Sequence, residues 1–244
     1  MCGRFALMTM PEVLADIFEL SEIPRALTPR YNIAPTQPTG VIRLDRESRE
    51  RRLDLLHWGL IPFWAKDPAI GNRMINARSE TVATKPAYKN AFKRRRCLVP
   101  ADGFYEWKKL SATEARAAGL TTKSPKQPVF IHMADEAPFA LAGLWEHWQD
   151  PKGSGSEIDS FTILTTEANE LCRDVHDRMP VIIDRDHYER WLDTDSSEDS
   201  NSIDDLLRPY PSELMDRRPV STRVNRPQND DASLVERVRT GLFE

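Results

Sequence analysis

The 244-residue sequence has little cysteine and lacks any long apolar run. Its three cysteines, Cys2, Cys97 and Cys172, are an odd number without regular spacing, which excludes a disulfide framework and is typical of a reducing compartment. No stretch approaches the roughly 20 apolar residues that a membrane-spanning helix needs. The apolar residues 5–8 are also too few for the core of a signal peptide. We therefore expect a cytoplasmic protein without a membrane partner.

The sequence also lacks an excess of positive charge, because 34 Lys and Arg stand against 38 Asp and Glu, a net charge of -4. The overall charge therefore gives no indication of a nucleic-acid partner. The distribution is uneven, since residues 85–109 contain eight cations and only two acids, Asp102 and Glu106. This stretch is typical of a phosphate-binding face, although charge alone equally fits a solvated helix end. The acidic residues 193–205 are predicted to form a solvated loop.

Strand-like segments outnumber helical ones along the chain. Thr9 and Glu12 have the spacing of a capping box and predict a helix that ends near Phe18. Further helices are predicted over 85–93, over 168–175 and from residue 184, and strands over 40–44, 52–60, 97–100, 104–107, 129–133, 139–148 and 160–165. Because short polar turns join most strands, we expect one α+β domain with a largely antiparallel, barrel-like β-sheet and a few flanking helices.

Cys2 is the first residue whose position suggests chemistry. Removal of Met1, which is favoured before a small residue, would leave an amine and a thiol on adjacent carbons. Such groups ordinarily have pKa values of about 7.7–8.0 and 8.5, so both are partly nucleophilic near neutrality. The thiolate could attack a carbonyl with the amine as base, or the amine could form a Schiff base that the thiol closes into a thiazolidine. Met-Cys alone favours a frayed terminus without a role.

Two further residues have settings that suit proton transfer. His176 ends the predicted 168–175 helix, whose dipole would stabilise an imidazolium. Glu106 lies among aromatic residues, which favours acid–base work, although a surface glutamate on an amphipathic strand is the simpler local interpretation. Cys172 and His176 are four residues apart, but no second Cys/His pair completes a zinc site. We therefore expect no metal and place Cys172 in the core.

Polar and aromatic residues elsewhere could bind a ligand. Asn76 and Arg78 are two residues apart and share a face of an extended segment. An asparagine there could polarise a carbonyl or a hydroxyl, and an arginine could hold a phosphate. Four aromatic side chains could stack on bases or belong to the core, namely Trp58, Phe63, Trp64 and Trp107.

Taken in order, blocks of this sequence resemble those of the SOS response-associated peptidase (SRAP) family. The blocks are 1–6 (MCGRFA), 30–35 (RYNIAP), 58–62 (WGLIP), 75–80 (INARSE), 101–107 (ADGFYEW), 176–180 (HDRMP) and 220–225 (VSTRVN). Together they cover nearly the whole chain. The resemblance therefore implies a family domain over residues 1–230 and a C-terminal tail over residues 231–244.

The resemblance implies a sensor of abasic sites in single-stranded DNA that acts as a monomer without a cofactor, and that is nucleoid-associated in a bacterium. Cys2 would form a thiazolidine crosslink with the aldehyde of the ring-opened site. Asn76 would orient the sugar and the Cys2 amine, while Glu106 and His176 would move protons. The implied DNA-binding residues are Arg4, Pro35, Trp64, Arg78 and Trp107. The family name also implies autoproteolytic removal of Met1.

Two other classes of function stay open on sequence grounds. An N-terminal nucleophile hydrolase, either a glutamine amidotransferase or a cysteine peptidase, would use Cys2 to attack an amide. Amidotransferases that open with Met-Cys-Gly usually continue with Ile, whereas Arg4-Phe5 follows here. A non-catalytic single-strand binder would keep every activity in a Cys2→Ala variant.

Overall fold

Strands dominate the molecule, and its helices are short. The computed structural model describes residues 2–117, 119, 125–194 and 203–239. The strands in these residues are β1 (Phe5–Leu7), β2 (Leu20–Glu22), β3 (Arg30–Ile33), β4 (Pro38–Leu44), β5 (Arg51–Trp58), β6 (Asn76–Arg78), β7 (Arg96–Ala101), β8 (Gly103–Lys109), β9 (Lys126–Met133), β10 (Phe139–Gln149), β11 (Glu157–Glu167), β12 (Arg178–Pro180), β13 (Ile182–Ile183) and β14 (Met215–Pro219). The helices are α1 (Pro11–Phe18), α2 (Ser79–Val82), α3 (Lys89–Arg94), α4 (Ala112–Ala117), α5 (Glu170–Arg173) and α6 (Tyr188–Leu192).

Five strands, β4, β5, β11, β10 and β7, close into a barrel. Four of the five pairs are antiparallel. The fifth pair, between β5 and β11, is parallel and places Trp58 opposite Phe161. A second, antiparallel sheet has the order β14-β9-β8-β1-β3, and residues of both sheets share one apolar core. The predicted α+β class, a single domain with a barrel-like and largely antiparallel sheet, is confirmed.

The strand β7 is buried along almost its whole length because both of its faces are covered. The barrel interior covers one face, and α6 covers the other. Trp191 of α6 is fully buried and donates a hydrogen bond from its indole nitrogen to the Cys97 carbonyl at 2.8 Å. A strand that is covered on both faces has a continuous apolar run without alternation, which explains the sequence CLVPA here.

Two glycines fix the loop between the barrel and β6. Gly59 has a φ of +135°, and a Cβ added there would lie 2.5 Å from the Gly71 carbonyl oxygen. A side chain at either position would therefore push the two backbone segments apart. The same loop is tied by a bond from the Leu60 N–H to the Met74 carbonyl at 3.2 Å. This close approach sets the position of β6, which begins at Asn76.

The first predicted helix forms, but its predicted cap is wrong. α1 begins at Pro11, and no side chain caps its start. Thr9 instead donates its N–H to the Asp102 carboxylate at 2.9 Å, and its hydroxyl binds the same group. The carboxylate also accepts from the Met8 N–H. Thr9 therefore binds Asp102, which is distant in sequence, and does not cap the helix. A capping-box spacing cannot reveal such a distant acceptor.

The predicted 168–175 helix is also shorter than expected. Only Glu170–Arg173 is helical, and the Asn169 side chain caps the start by accepting from the Cys172 N–H at 2.9 Å. The N–H groups of Val175 and His176 both bind the Cys172 carbonyl, at 2.8 and 2.9 Å, so the chain turns away after a single turn. His176 therefore lies beyond a four-residue helix, whose dipole gives it little support.

Other predicted elements agree in place and type. α3 occupies the end of the predicted 85–93 helix, and Tyr188, Trp191 and Leu192 of α6 are buried as predicted. Residues 118, 120–124 and 195–202 fall outside the described part of the chain, so the predicted loop over 193–205 lies there in large part. In the described residues no helix is both long enough and apolar enough to cross a membrane.

The segment after residue 230 packs onto the second sheet as far as residue 239. Leu234 is fully buried, and the Val238 N–H donates to the Pro219 carbonyl at 2.9 Å. The guanidinium of Arg218 also donates to the Val235 carbonyl at 2.8 Å. These contacts join residues 231–239 to β14.

Candidate active site around Cys2

The strand β1 fixes the N-terminal segment inside the second sheet. Phe5 lies opposite Ile33 of β3 and opposite Phe104 of β8, and the Tyr105 N–H donates to the Arg4 carbonyl at 2.9 Å. Cys2, three residues before this strand's first residue, has no exposed surface. The interpretation of a frayed terminus is therefore wrong for Cys2. Met1 lies outside the described residues.

Asn76 contacts Cys2 directly. Its side-chain amide donates a hydrogen bond to the Cys2 carbonyl at 2.8 Å. The Asn76 side-chain oxygen is also buried and has no hydrogen-bond partner among the described residues. β6 reaches this position because it pairs in parallel with β11, with Asn76 opposite Ile163. Asn76 thus holds the Cys2 carbonyl, and its own side-chain oxygen is a buried acceptor without a described partner.

Glu106 lies close to two thiols. It is 5% exposed, on β8. Burial raises the pKa of the Cys2 thiol, and the Glu106 charge raises it further. Burial followed by the Glu106 charge also raises the pKa of Cys172 to about 12. Both thiols are therefore protonated at neutral pH, with a carboxyl group near them that can accept or return a proton. Cys172 is buried in the core, as predicted.

His176 follows α5 and is held by its neighbours in the chain. Its N–H binds the Cys172 carbonyl at 2.9 Å, and its Nδ1 accepts from the Arg178 N–H at 3.0 Å. This bond places the proton of the neutral ring on Nε2. The same Nδ1 lies 2.7 Å from the Asp177 carboxylate, which would face a protonated ring. The side chain is 33% exposed and therefore accessible to a ligand.

An ion pair links the His176 turn to the segment that follows Asn76. The Arg178 guanidinium binds both Glu80 carboxylate oxygens, at 2.6 and 3.0 Å. It also donates to the Thr165 carbonyl at 2.5 Å. Because the Arg178 N–H holds His176 Nδ1, this pair fixes one possible proton donor relative to β6. No local pattern in the sequence singles out Arg178 or Glu80, although both fall inside family-like blocks.

Arg4 and Trp107 form a second cluster beside Cys2. The Arg4 guanidinium lies 5.9 Å from the centre of the Trp107 ring. It also donates to the Asn32 side chain and to the Val224 carbonyl, both at 2.7 Å. The Trp107 indole donates to the Asn225 side chain at 2.7 Å. Residues 220–225, far away in sequence, thus complete this edge of the site.

The remaining predicted DNA contacts differ in exposure. Arg78 is exposed at the end of β6 and makes no hydrogen bond or ion pair within the described residues. Trp64 and its neighbour Phe63 are 50% and 53% exposed. Pro35 is half-buried beside Thr36, whose N–H binds the Trp58 carbonyl at 2.8 Å.

Trp58 is not available for stacking on a base. It is fully buried, and its ring packs against Phe5 and Phe161, with centroids 5.1 and 6.2 Å away. Its indole nitrogen donates to the Ile75 carbonyl at 3.0 Å. Trp58 therefore supports the loop that leads to Asn76 from beneath, as a core residue.

The basic stretch does not form one face. Five of its cations are exposed, namely Lys85, Lys89, Lys93, Arg94 and Lys109. Arg95 instead pairs with the buried Glu146 at 2.8 Å, and Lys108 pairs with Asp174 at 3.1 Å. Arg96 donates to backbone carbonyls of α3 and α6. The prediction of a single phosphate-binding face is corrected, because three of the eight cations, Arg95, Arg96 and Lys108, are bound to acids or carbonyls of the protein itself.

No group of three or more potential metal-ligating His, Cys, Asp or Glu residues occurs in the part of the chain that the structure describes. Asn76 acts on Cys2 through a hydrogen bond and Glu106 acts on it through its charge, and His176 follows the segment of Cys172, on which the Glu106 charge also acts. These residues come from β6, β8 and the turn after α5, which meet only in the folded chain.

The chain is similar to known proteins in sequence and in fold. The family model for SOS response associated peptidase (SRAP) matches residues 1–227. The chain is 40% identical to the abasic site processing protein YoaM of Bacillus subtilis over 238 residues, which cover 97% of this chain and 98% of that protein. It is 32% identical to the abasic site processing protein YedK of Escherichia coli, over 98% of this chain and 100% of that one. A solved structure from Bacteroides thetaiotaomicron is similar, with a TM-score of 0.83 and 26% identity, over 98% of this chain and 100% of that one.

Proposed function

Because the chain belongs to the SOS response-associated peptidase (SRAP) family, we propose that it processes abasic sites in single-stranded DNA. In this proposal Cys2, once Met1 is removed, forms a covalent thiazolidine with the ring-opened sugar. The observation that carries the proposal is the placement of Cys2, which is buried and held through its carbonyl by Asn76 at 2.8 Å. A residue held in this way has its nitrogen and its sulfur in a fixed position relative to each other and to the bound sugar.

The chemistry follows from the two groups on Cys2. An abasic sugar in its open form carries an aldehyde at C1′. The Cys2 amine adds to this carbon, and loss of one water gives an imine. The thiol then adds to the imine carbon, its proton passes by way of Glu106 to the nitrogen, and a five-membered ring closes. The net reaction releases one water, and the ring must reopen before hydrolysis can release the DNA.

Two residues move protons in this scheme. Glu106 takes the proton from the thiol during ring closure, since its charge already acts on the Cys2 sulfur. His176 donates from Nε2 to the sugar ring oxygen as the sugar opens, because Nδ1 is occupied by the Arg178 N–H. Asn76 uses its free side-chain oxygen to accept from the Cys2 amine or from a sugar hydroxyl. Each of these roles needs a proton donor or acceptor within hydrogen-bond distance of the atom that gains or loses the proton.

The state of the thiol sets the order of the steps. Burial raises the pKa of the Cys2 thiol, so the sulfur is protonated at neutral pH. A protonated thiol is a poor nucleophile, and the amine therefore reacts with the aldehyde first. An N-terminal nucleophile hydrolase needs a thiolate that attacks an amide directly, so the raised pKa supports the aldehyde chemistry over that alternative.

The DNA strand passes the same edge of the protein. Arg78 is exposed and free to bind a phosphate, and Arg4 presents a guanidinium stacked on Trp107. Trp64 offers an exposed ring, and Pro35 lies beside the Trp58 end of the barrel. Such a surface suits an unpaired strand, because paired and stacked DNA would shield C1′.

The test is a denaturing gel with purified, Met-free protein and single-stranded DNA that carries one abasic site. We expect a band of protein attached to DNA for the parent and none for Cys2→Ala. The same DNA with a tetrahydrofuran analogue, which has no aldehyde, is the matched substrate control. A missing band for the parent, or an equal band for Cys2→Ala, would refute the proposal.

A Cys2→Ser variant separates the amine step from the thiol step. It keeps the N-terminal amine and a side chain of similar size, but its hydroxyl does not close a stable ring. We expect no stable band unless borohydride traps the imine. A borohydride-dependent band from Cys2→Ser would support attack by the amine first, and a stable band without borohydride would contradict the thiazolidine.

We further propose that the same site removes Met1 by hydrolysis: Glu106 takes a proton from a water that attacks the Met1 carbonyl and returns it to the Cys2 nitrogen as the amide bond breaks, so no Cys2 thiolate is needed. Synthesis of the parent and of Glu106→Gln in a translation system without methionine aminopeptidase tests this step. We expect the parent to lose the mass of one methionine and the variant to retain it. Retention of Met1 by the parent would assign the removal to a separate enzyme.

A further inference from the structure

A pocket lined by arginines opens at the start of β7. It has a volume of about 370 Å³. Six of its lining residues are Arg43, Arg46, Arg52, Arg94, Arg95 and Arg96. The acidic residues in its lining are Asp45 and Glu47. None of the lining residues belongs to the cluster around Cys2.

The strand β7 gives the distance between the pocket and the N-terminal strand β1. It starts at Arg96, in the pocket, and ends at Ala101. The next residue, Asp102, donates its N–H to the Ala6 carbonyl of β1 at 2.9 Å. At about 3.3 Å per residue, β7 therefore separates the pocket from β1 by roughly 16 Å. The pocket is therefore a separate site and not an extension of the one around Cys2.

Half of the arginines in the pocket already have carboxylate partners. Arg43 lies between Asp54 at 2.7 Å and Asp159 at 2.9 Å, and Arg95 pairs with Glu146 at 2.8 Å. Arg52 likewise pairs with Asp54 at 3.1 Å and with Asp45 at 3.5 Å. These pairs build the wall of the pocket and contribute little net charge to it.

The other three arginines have no carboxylate among their hydrogen-bond partners in the described residues. Arg46 donates to the Arg94 carbonyl at 2.9 Å, and the Arg94 side chain is exposed without a described bond. Arg96 donates to three backbone carbonyls at the ends of α3 and α6. Burial lowers the pKa of Arg96 to about 10, so it is still charged at neutral pH. Three positive charges thus meet at one opening, opposed there by Glu47 and, at Arg96, by the charge of Asp193.

The walls favour a phosphate over a nucleobase. Guanidinium groups present several donors in a plane that matches phosphate oxygens. Trp145, the aromatic residue of the lining, has the Arg43 guanidinium 4.4 Å from its ring centre and Arg95 at 5.9 Å. Its faces are therefore occupied by cations and are not open to a base.

We propose that this pocket binds a phosphate group, supplied either by the backbone of single-stranded DNA or by a free phosphate compound. In the first case a strand that leaves the Cys2 site would follow the outside of the barrel and place a distal phosphate here. That source rests on the proposed function, whereas a free phosphate compound would bind independently of it. Arg94, Arg95 and Arg96 would then contribute to phosphate binding as lining residues of this pocket, although residues 85–109 do not form one basic face.

The test uses two probes and one double variant. The probes are undamaged single-stranded DNA that is long enough to span the protein, and inorganic pyrophosphate. Arg46→Ala/Arg94→Ala removes two exposed cations that have no carboxylate partner, so the fold should be kept. Arg116→Ala, an exposed arginine of α4 on the hairpin between β8 and β9, is the matched control.

For DNA as the source, we expect the double variant to bind the long strand several-fold more weakly, with pyrophosphate competing in the parent. The slope of log affinity against log salt should fall by about 1.4, at about 0.7 per lost contact with a single strand. Loss of pyrophosphate binding with unchanged DNA binding would support the pocket with a free phosphate compound as its ligand. Parental binding of both probes, or an equal loss in Arg116→Ala, would overturn the proposal.

Crosslinking to a short abasic oligonucleotide, measured on the same proteins, reports on the proposed function separately. We expect the double variant to crosslink this short strand at the parental rate, because the pocket lies away from Cys2. A parent that never crosslinks would refute the proposed function, and the pyrophosphate measurement would still decide the pocket.

Discussion

Substitution of Asn76 by alanine should slow crosslinking far more than it weakens DNA binding. The Asn76 amide donates to the Cys2 carbonyl at 2.8 Å, and Cys2 has no exposed surface. Removal of the donor leaves a buried carbonyl without this bond, which costs about 1–3 kcal/mol. If that energy orients Cys2 toward the aldehyde, the crosslinking rate should fall about 5- to 150-fold, at 1.4 kcal/mol per tenfold.

The assay is single-turnover crosslinking at saturating abasic DNA, followed on a denaturing gel, with urea unfolding of the same proteins. Asn76→Asp keeps the shape but replaces the donor with a carboxylate that repels the Cys2 carbonyl, so it should be slower than Asn76→Ala. Asn90→Ala, at an exposed position of α3, is the control and should behave like the parent. A destabilised Asn76→Ala protein that still crosslinks at the parental rate would refute the role in orientation.

Two further predictions concern the ion pair and the buried thiols. Glu80→Gln should change the unfolding free energy by less than about 1 kcal/mol, because Glu80 is half-exposed. The same variant should nevertheless lower the crosslinking rate several-fold and alter the pH profile of that rate, because Glu80 holds Arg178 and the Arg178 N–H holds His176. An unchanged pH profile would contradict this link. The three cysteines are buried with raised thiol pKa values, so above about pH 8.5 the unfolded chain binds fewer protons than the folded one. The unfolding free energy should therefore fall as pH rises, by up to about 1.4 kcal/mol per pH unit for each thiol. Urea titrations at several pH values measure this slope, and Cys97→Ala should reduce it. An unfolding free energy that does not change with pH would contradict the burial of the thiols.

The local pattern of apolar residues and turn residues was sufficient to predict most strands of the molecule. The runs over 129–133 and 139–148 lie within β9 and β10, because apolar and β-branched residues between turns determine such segments locally. The closure of the barrel was not predictable in the same way. The parallel pair of β5 and β11 joins segments about 100 residues apart, and no local signal states which strands become neighbours.

In the site, too, the sequence indicates individual residues but not which of them come into contact. Family-like blocks in the sequence identified Cys2 and Asn76, but the bond between them joins residues 74 positions apart. Charge counting treated Arg94 and Arg95 alike, whereas one is exposed and the other pairs with a buried glutamate. Aromatic content likewise could not separate the buried Trp58 from the exposed Trp64. Each distinction depends on which side of a strand or loop a residue faces in the fold.

The most direct test of the central claim is tandem mass spectrometry of the N-terminal peptide from a crosslinked and nuclease-digested complex. The account predicts a peptide that begins at Cys2 and carries the sugar on both its nitrogen and its sulfur. Its mass should equal that of the peptide plus the abasic fragment less one water, without reduction. Attachment through a lysine, or through sulfur alone with a free N-terminal amine, would contradict the account.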